Sequence, residues 1–210
     1  MFLDVIDAPE GANVLDGTSA GETLVGMSNS DVIYGRDGDD TVAGELGDDI
    51  LFGNGGDDVL RGDANSREPG GTEGGDDIIY GGDGNDRIGG KGGNDKLYGE
   101  AGDDFIWGDD GDDLIWGGLG NDTLVGDDFS GGNGNDTFVV AVGEGTDTIS
   151  DFQLGEDFIG LTTGLAFDLL SITQNGSDTF IDYNDETLAL LAGVQANDLI
   201  SSAATTFTII

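Results

Sequence analysis

Aspartate recurs every nine residues through much of this 210-residue chain: Asp31, Asp40, Asp49 and Asp58, then Asp77, Asp86, Asp95, Asp104, Asp113 and Asp122, and last Asp136. Five residues before each stands the first place of a nonapeptide: Gly26, Gly35, Gly44, Gly53, Thr72, Gly81, Gly90, Gly99, Gly108, Gly117 and Gly131. The fourth place is Gly38, Gly47, Gly56, Gly75, Gly84, Gly93, Gly102, Gly111, Gly120 or Gly134, with Asn29 in an early copy. The eighth is always apolar: Ile33, Val42, Leu51, Leu60, Ile79, Ile88, Leu97, Ile106, Ile115, Leu124 and Phe138. Carboxylates set among glycine carbonyls form an all-oxygen donor set, which suits a hard divalent cation, and its flexibility favours calcium over magnesium. Zinc takes His or Cys, and the chain has neither.

The elements that hold these aspartates must repeat with them. Glycine admits left-handed backbone and close approach, so the first six places read as a tight turn. The last three read as a short strand, with the eighth residue facing one way and the seventh and ninth the other. One such strand cannot bury its apolar residue alone. Two units therefore make a flattened coil of 18 residues with the eighth residues meeting inside, and stacked coils pair as parallel strands ~4.8 Å apart. The expected fold class is all-β, a roll over 17–139 capped by a β-rich segment over 140–210. A weaker copy covers 17–25, with Ala20, Glu22 and Leu24, and a still weaker one the lead-in at 8–16. Two stretches break the period: 62–71, placed between units 53–61 and 72–80, and 126–130. Both read as surface bulges, with a partner-binding loop as the alternative. Turns stacked in this way set carboxylate above carboxylate, and without cations between them the column would push the coils apart.

Composition narrows the function classes. Asp and Glu number 44 against 6 Lys and Arg, a formal charge of −38, and every basic residue precedes position 97. Such a field repels nucleic acid and anionic membranes. The absence of His and Cys excludes Ser-His-Asp and Cys-His triads, thiol redox chemistry and disulfides. No apolar run approaches the ~18 residues of a membrane helix. The start Met1-Phe2-Leu3-Asp4-Val5-Ile6-Asp7 lacks a basic n-region, so no cleaved secretory signal is expected. Glycine at 41 residues would suit a disordered acidic linker, but such a linker has no reason to keep an aliphatic at every ninth place.

Gly81-Gly82-Asp83-Gly84-Asn85-Asp86-Arg87-Ile88-Gly89 and Gly117-Gly118-Leu119-Gly120-Asn121-Asp122-Thr123-Leu124-Val125 resemble the RTX nonapeptide of haemolysin-type calcium-binding proteins. The resemblance covers about 17–161. It implies a right-handed parallel β-roll with each calcium between turns n and n+2. The ions would be held by the sixth-place aspartates and by carbonyls of the first four places, Gly82 among them. Twelve units offer at most ten such gaps, for about seven to ten ions. The stretch from Asp147 to Leu161 is similar to the segment after the repeats of serralysin-type proteases and alginate-epimerase R-modules. That likeness makes Asp151 and Asp157 ligands of a further calcium; the residues alone suit turn caps equally well. Ser177–Tyr183 and Thr187–Ala192 read as a hairpin around Asn184-Asp185-Glu186, and Val194–Ile200 as a last short element. The resemblance further implies type I secretion to the extracellular space, with an uncleaved C-terminal signal in Thr205–Ile210.

Because alternate units lie on opposite sheets, Tyr34, Phe52, Tyr80, Tyr98 and Trp116 share one outer face. Three readings of this ladder are open: cover or support for the sheet itself, self-association, and a platform for an extracellular polysaccharide. The expected function is a secreted calcium-folded structural, adhesive or binding module, with an accessory polysaccharide-binding module of an enzyme as the alternative. No catalytic residues are expected.

Overall fold

The computed structural model describes residues 12–63, 74–127 and 134–210. Thr72, Gly131 and most of the lead-in and the two period-breaking stretches lie outside them.

Two sheets form the walls of a roll. One stacks Asn13–Asp16, Asp31–Asp37, Ile50–Gly55, Ile78–Asp83, Lys96–Ala101, Leu114–Leu119, Thr137–Val140, Phe158–Leu161 and Phe207–Ile209 in that order. The other runs from Thr23–Val25 through Thr41–Glu45, Val59–Asp63, Arg87–Gly92, Phe105–Asp110 and Thr123–Val125 to Asp147–Ile149, and ends in a three-stranded meander. Successive strands alternate between the sheets, as the two-unit coil requires. Strands within the roll pair in parallel, eighth residue opposite eighth residue. Ile33, Leu51, Ile79, Leu97, Ile115 and Phe138 form one such row. Val42, Leu60, Ile88, Ile106 and Leu124 form the other. Each of these eleven side chains is fully buried, worth roughly 1.5–3 kcal/mol by transfer from water. Asn13–Asp16 pairs in register with Asp31–Tyr34, so the chain is already in phase there.

The turns differ from the sequence reading in one respect. Left-handed backbone falls at the fourth place, as at Gly38 (φ 108°), and also at the second, where side chains stand. Arg36, Glu45, Asn54, Lys91, Glu100 and Asp109 have φ between 75° and 92°. Glycine at the first place answers a different need, close approach. A Cβ on Gly35 would lie 2.6 Å from Asp40 Oδ2 and 2.8 Å from the Gly53 carbonyl oxygen.

That signature also places the extra residues. A Cβ on Gly62 would strike Asp77 Oδ2 and the Gly90 carbonyl, and one on Gly126 would strike Asp136 Oδ2. Gly62 and Gly126 therefore hold the first place of their units. The extra residues enter inside a turn, after its second residue, and not between units as the spacing suggested.

Beyond the last repeat both sheets continue, through Asp147–Ile149 and Phe158–Leu161. Asp178–Tyr183 and Glu186–Leu191 form the expected hairpin, turning at Asn184 and Asp185, with Ser171–Asn175 on its outer side. Glu186–Leu191 then pairs in parallel with Asp147–Ile149. The expected last short element is the start of an α-helix, Ala196–Thr206, seated through Ala196, Leu199 and Thr206. Phe207–Ile209, within the tail expected to carry the secretion signal, adds a parallel strand beside Phe158–Leu161. The apolar core runs without a break from the roll into this cap.

Candidate metal centres along the two edges

Each edge of the roll is a column of sixth-place aspartates. On one, Oδ1 of Asp49, Asp77, Asp95, Asp113 and Asp136 accepts the backbone N–H of the sixth residue one coil earlier, at 2.7–3.0 Å. On the other, Oδ1 of Asp40, Asp58, Asp86, Asp104 and Asp122 does the same at 2.7–2.8 Å. This bond fixes the carboxylate. The second oxygen is left over: Oδ2 of all ten residues is buried without a hydrogen-bond partner.

Eight of those ten oxygens stand beside a carbonyl oxygen of the next coil. At Gly44, Gly53, Gly81, Gly90, Gly99 and Gly108, as at Gly35, a Cβ would meet both Oδ2 of the unit's own aspartate and the first-place carbonyl one coil on. Carbonyls of the fourth place crowd the fourth-place glycine one coil on. Gly38 O approaches Gly56, Gly56 O approaches Gly84, and Gly84 O approaches Gly102. On the opposite edge Gly47 O approaches Gly75, Gly75 O approaches Gly93, and Gly93 O approaches Gly111, which in turn offers its carbonyl to Gly134. Gly102 O faces Gly120 likewise, and Gly117 lends its carbonyl to the cradle at Gly99. Gly82 instead takes the second place, with φ 119°.

A buried carboxylate oxygen opposed only by carbonyls costs several kcal/mol unless a cation joins them. The donor set is all oxygen and the residues fit calcium. Among the described residues no three acidic side chains close on one point, so backbone carbonyls supply much of the donor set. Electrostatics agrees. Burial, reinforced by neighbouring carboxylates, raises Asp58 to about 6, and Asp49, Asp86, Asp95 and Asp104 to about 7. Asp136 is pushed to about 8, Asp77 and Asp113 to about 9, and Asp40 and Asp122 also rise. Either protons or metal ions must neutralise these columns.

The ends behave differently. Asp31 spends Oδ2 on the Met27 N–H at 2.6 Å and Oδ1 on Asn13. Asp157 continues one column by accepting the Asp136 N–H, but its Oδ2 accepts the Gln153 N–H at 2.6 Å. Asp151 accepts from Gly126 and Asp127 N–H, both at 2.9 Å, and so ties down a turn. Three aspartates escaped the sequence reading. Asp147 occupies the sixth place after Asp122, whose N–H it accepts at 3.2 Å, and is pushed to about 8 by burial and by Asp122. Its apolar partner Ile149 was legible, but the spacing from Asp136 is not nine. Asp63 and Asp127, both second-place residues, are buried with one oxygen unpartnered.

A further pattern was legible and unread. From Asp39 to Asn135 the fifth place is Asp or Asn, and from Asp39 to Asp112 its side chain accepts the N–H of the fifth residue one coil on. Asp57 bonds Asp39, Asn85 bonds Asp57, Asp103 bonds Asn85 and Asn121 bonds Asp103, at 2.8–3.1 Å.

On one outer face the aromatic ladder is a ring stack. Centroids of Tyr34, Phe52, Tyr80 and Tyr98 are 4.9–5.1 Å apart with planes within 9°. Trp116 tilts by 51° at the end and donates Nε1–H to Glu144 at 2.8 Å.

Fold and edges together define a calcium-binding parallel β-roll module. The model of the RTX calcium-binding nonapeptide repeat matches in four copies, over 16–51, 37–66, 72–97 and 89–124, so this stretch is built of RTX repeats. Among solved structures, the chain is similar to an extracellular lipase from Serratia marcescens at 20% identity and a TM-score of 0.37, over 82% of this chain and 39% of the lipase. The chain thus spans about two fifths of that enzyme's length. It is also similar to a subunit of the Azotobacter vinelandii mannuronan C5-epimerase, at 27% identity and a TM-score of 0.28, over 64% of this chain and 77% of that one. No curated protein matches its sequence.

Proposed function

We propose that the chain is a secreted structural module that folds when calcium fills its edges. The observation that carries this is the set of ten buried Oδ2 atoms, each without a donor and eight of them set beside a glycine carbonyl of the next coil. At low calcium a formal charge of −38 keeps the chain expanded; ten divalent ions would bring it to −18. Bound calcium closes two turns at once, so binding free energy becomes folding free energy and one coil templates the next. Sites of ~10⁻⁴–10⁻³ M affinity fill outside a cell and empty inside it. Among the described residues no helix is long and apolar enough to cross a membrane. The strand Phe207–Ile209 is part of the folded stack, so a secretion signal there would have to be read before calcium folds the chain.

The ladder supports a structural role more than a sugar platform. Its ring faces lie against one another and leave mainly edges outward, whereas a sugar stacks on an open ring face. Far-UV circular dichroism of the whole chain tests the proposal. A coil spectrum in EDTA that becomes β-rich in millimolar calcium, with a steep midpoint, is expected. A β-rich spectrum that EDTA leaves unchanged at neutral pH would overturn it.

A further inference from the structure

The first interrupted turn carries a device that the uninterrupted turns lack. Its second residue is Asp63, whereas second-place side chains such as Arg36 and Glu100 stand exposed on left-handed backbone. Asp63 is turned inward and only 4% exposed. Its Oδ1 accepts the Gly75 N–H at 3.3 Å, while its Oδ2 is buried without a partner. A Cβ on Gly74, on the far side of the same turn, would strike both Asp63 Oδ2 and the Gly92 carbonyl oxygen. This is the construction of the edge cradles, an orphaned carboxylate oxygen and a carbonyl from the next coil crowding one glycine. It stands beside the cradle that Gly62, Asp77 and Gly90 already form in that turn. The neighbouring cation Lys91 is committed elsewhere, with Nζ 2.7 Å from Asp109 Oδ2. Among the described residues no three acidic side chains converge on one point.

We propose that Asp63 Oδ2 and the Gly92 carbonyl, over Gly74, hold one divalent cation of the calcium type in addition to those along the repeat edges. A charged ligand just before the ten extra residues, set against the glycine that follows them, lets an ion hold the two ends of that insertion together. The inference rests on the reading of the edges as calcium sites. The test keeps the two apart.

The whole chain is dialysed against about 1 mM calcium, within the range that fills extracellular sites. Calcium per chain is then counted by elemental analysis of the folded size-exclusion peak. Asp63→Asn, which keeps an acceptor for the Gly75 N–H, should carry one ion fewer than the parent with an unchanged β spectrum. Gly74→Ala, which fills the cradle and leaves the charge in place, should lose the same single ion. It decides the matter if Asp63→Asn gives no folded peak. Glu100→Gln, an exposed second-place acid, should match the parent. Counts equal to the parent's in the Asp63 and Gly74 variants overturn the proposal, and so does a loss of the whole set of ions. A parent that binds no calcium fails the reading of the edges instead.

Discussion

Gly99 and Glu100 are neighbours in one turn with opposite requirements. Gly99 must lack a side chain because a Cβ there would strike Asp104 Oδ2 and the Gly117 carbonyl. Glu100 carries a side chain at φ 75°, a left-handed backbone that costs a residue other than glycine ~1–2 kcal/mol. Gly99→Ala should therefore destabilise the calcium-bound protein by about 2–4 kcal/mol and raise the calcium midpoint, as burying a clash in a metal cradle does. Glu100→Gly should stabilise it by up to about 1 kcal/mol, since Gly82 and Gly118 already serve in this place. Urea unfolding at saturating calcium measures both, and equal effects would mean that the two places are not distinct. The sixth-, fourth- and eighth-place residues were legible because each has one physical duty repeated every nine residues. Second-place strain was not, because it sits on unlike side chains. Asp63, Asp127 and Asp147 were hidden for a related reason: the first two stand at a place whose residue type varies from unit to unit, and the third is out of phase with the nine-residue count.

Between coils, the repeating contact on one face is aromatic. Stacking at 4.9–5.1 Å matches the spacing of parallel strands, so each ring is held by the strand pairing that it in turn supports. Such pairs add ~0.5–1.5 kcal/mol each beyond the area they bury. Tyr80→Ser with Tyr98→Ser removes the middle of the stack and should cost about 2–4 kcal/mol in urea unfolding. The chain's mass in light scattering with calcium should stay that of the parent. A parent that is dimeric and a double variant that is monomeric would instead assign the ladder to self-association. The sequence placed these rings on one face through the two-unit coil, but whether they show faces or edges depends on side-chain rotation, which periodicity does not encode. The helix Ala196–Thr206 was obscured for a comparable reason. Its buried residues are few, and its Ser and Thr content reads as loop until Leu199 is seen seated in the cap.

Over the whole molecule, the two acidic columns make folding a competition between protons and calcium. In the folded chain without metal, burial lifts Asp58 to about 6, Asp49, Asp86, Asp95 and Asp104 to about 7, Asp136 to about 8, and Asp77 and Asp113 to about 9. All exceed the ordinary 3.8 of an aspartate in an open chain, so the folded state binds protons more tightly than the unfolded one. Their contribution is then fully present below about pH 4 and is lost as pH rises through about 6 to 9. In EDTA the β signal at 218 nm (about the usual wavelength for sheet) should be stronger at about pH 5 than at about pH 8. Calcium displaces those protons, so its midpoint should move the other way and rise as pH falls from about 8 to about 6. A midpoint indifferent to pH would show that the ions are held without the buried carboxylates, and the edge columns would then lose their role in folding.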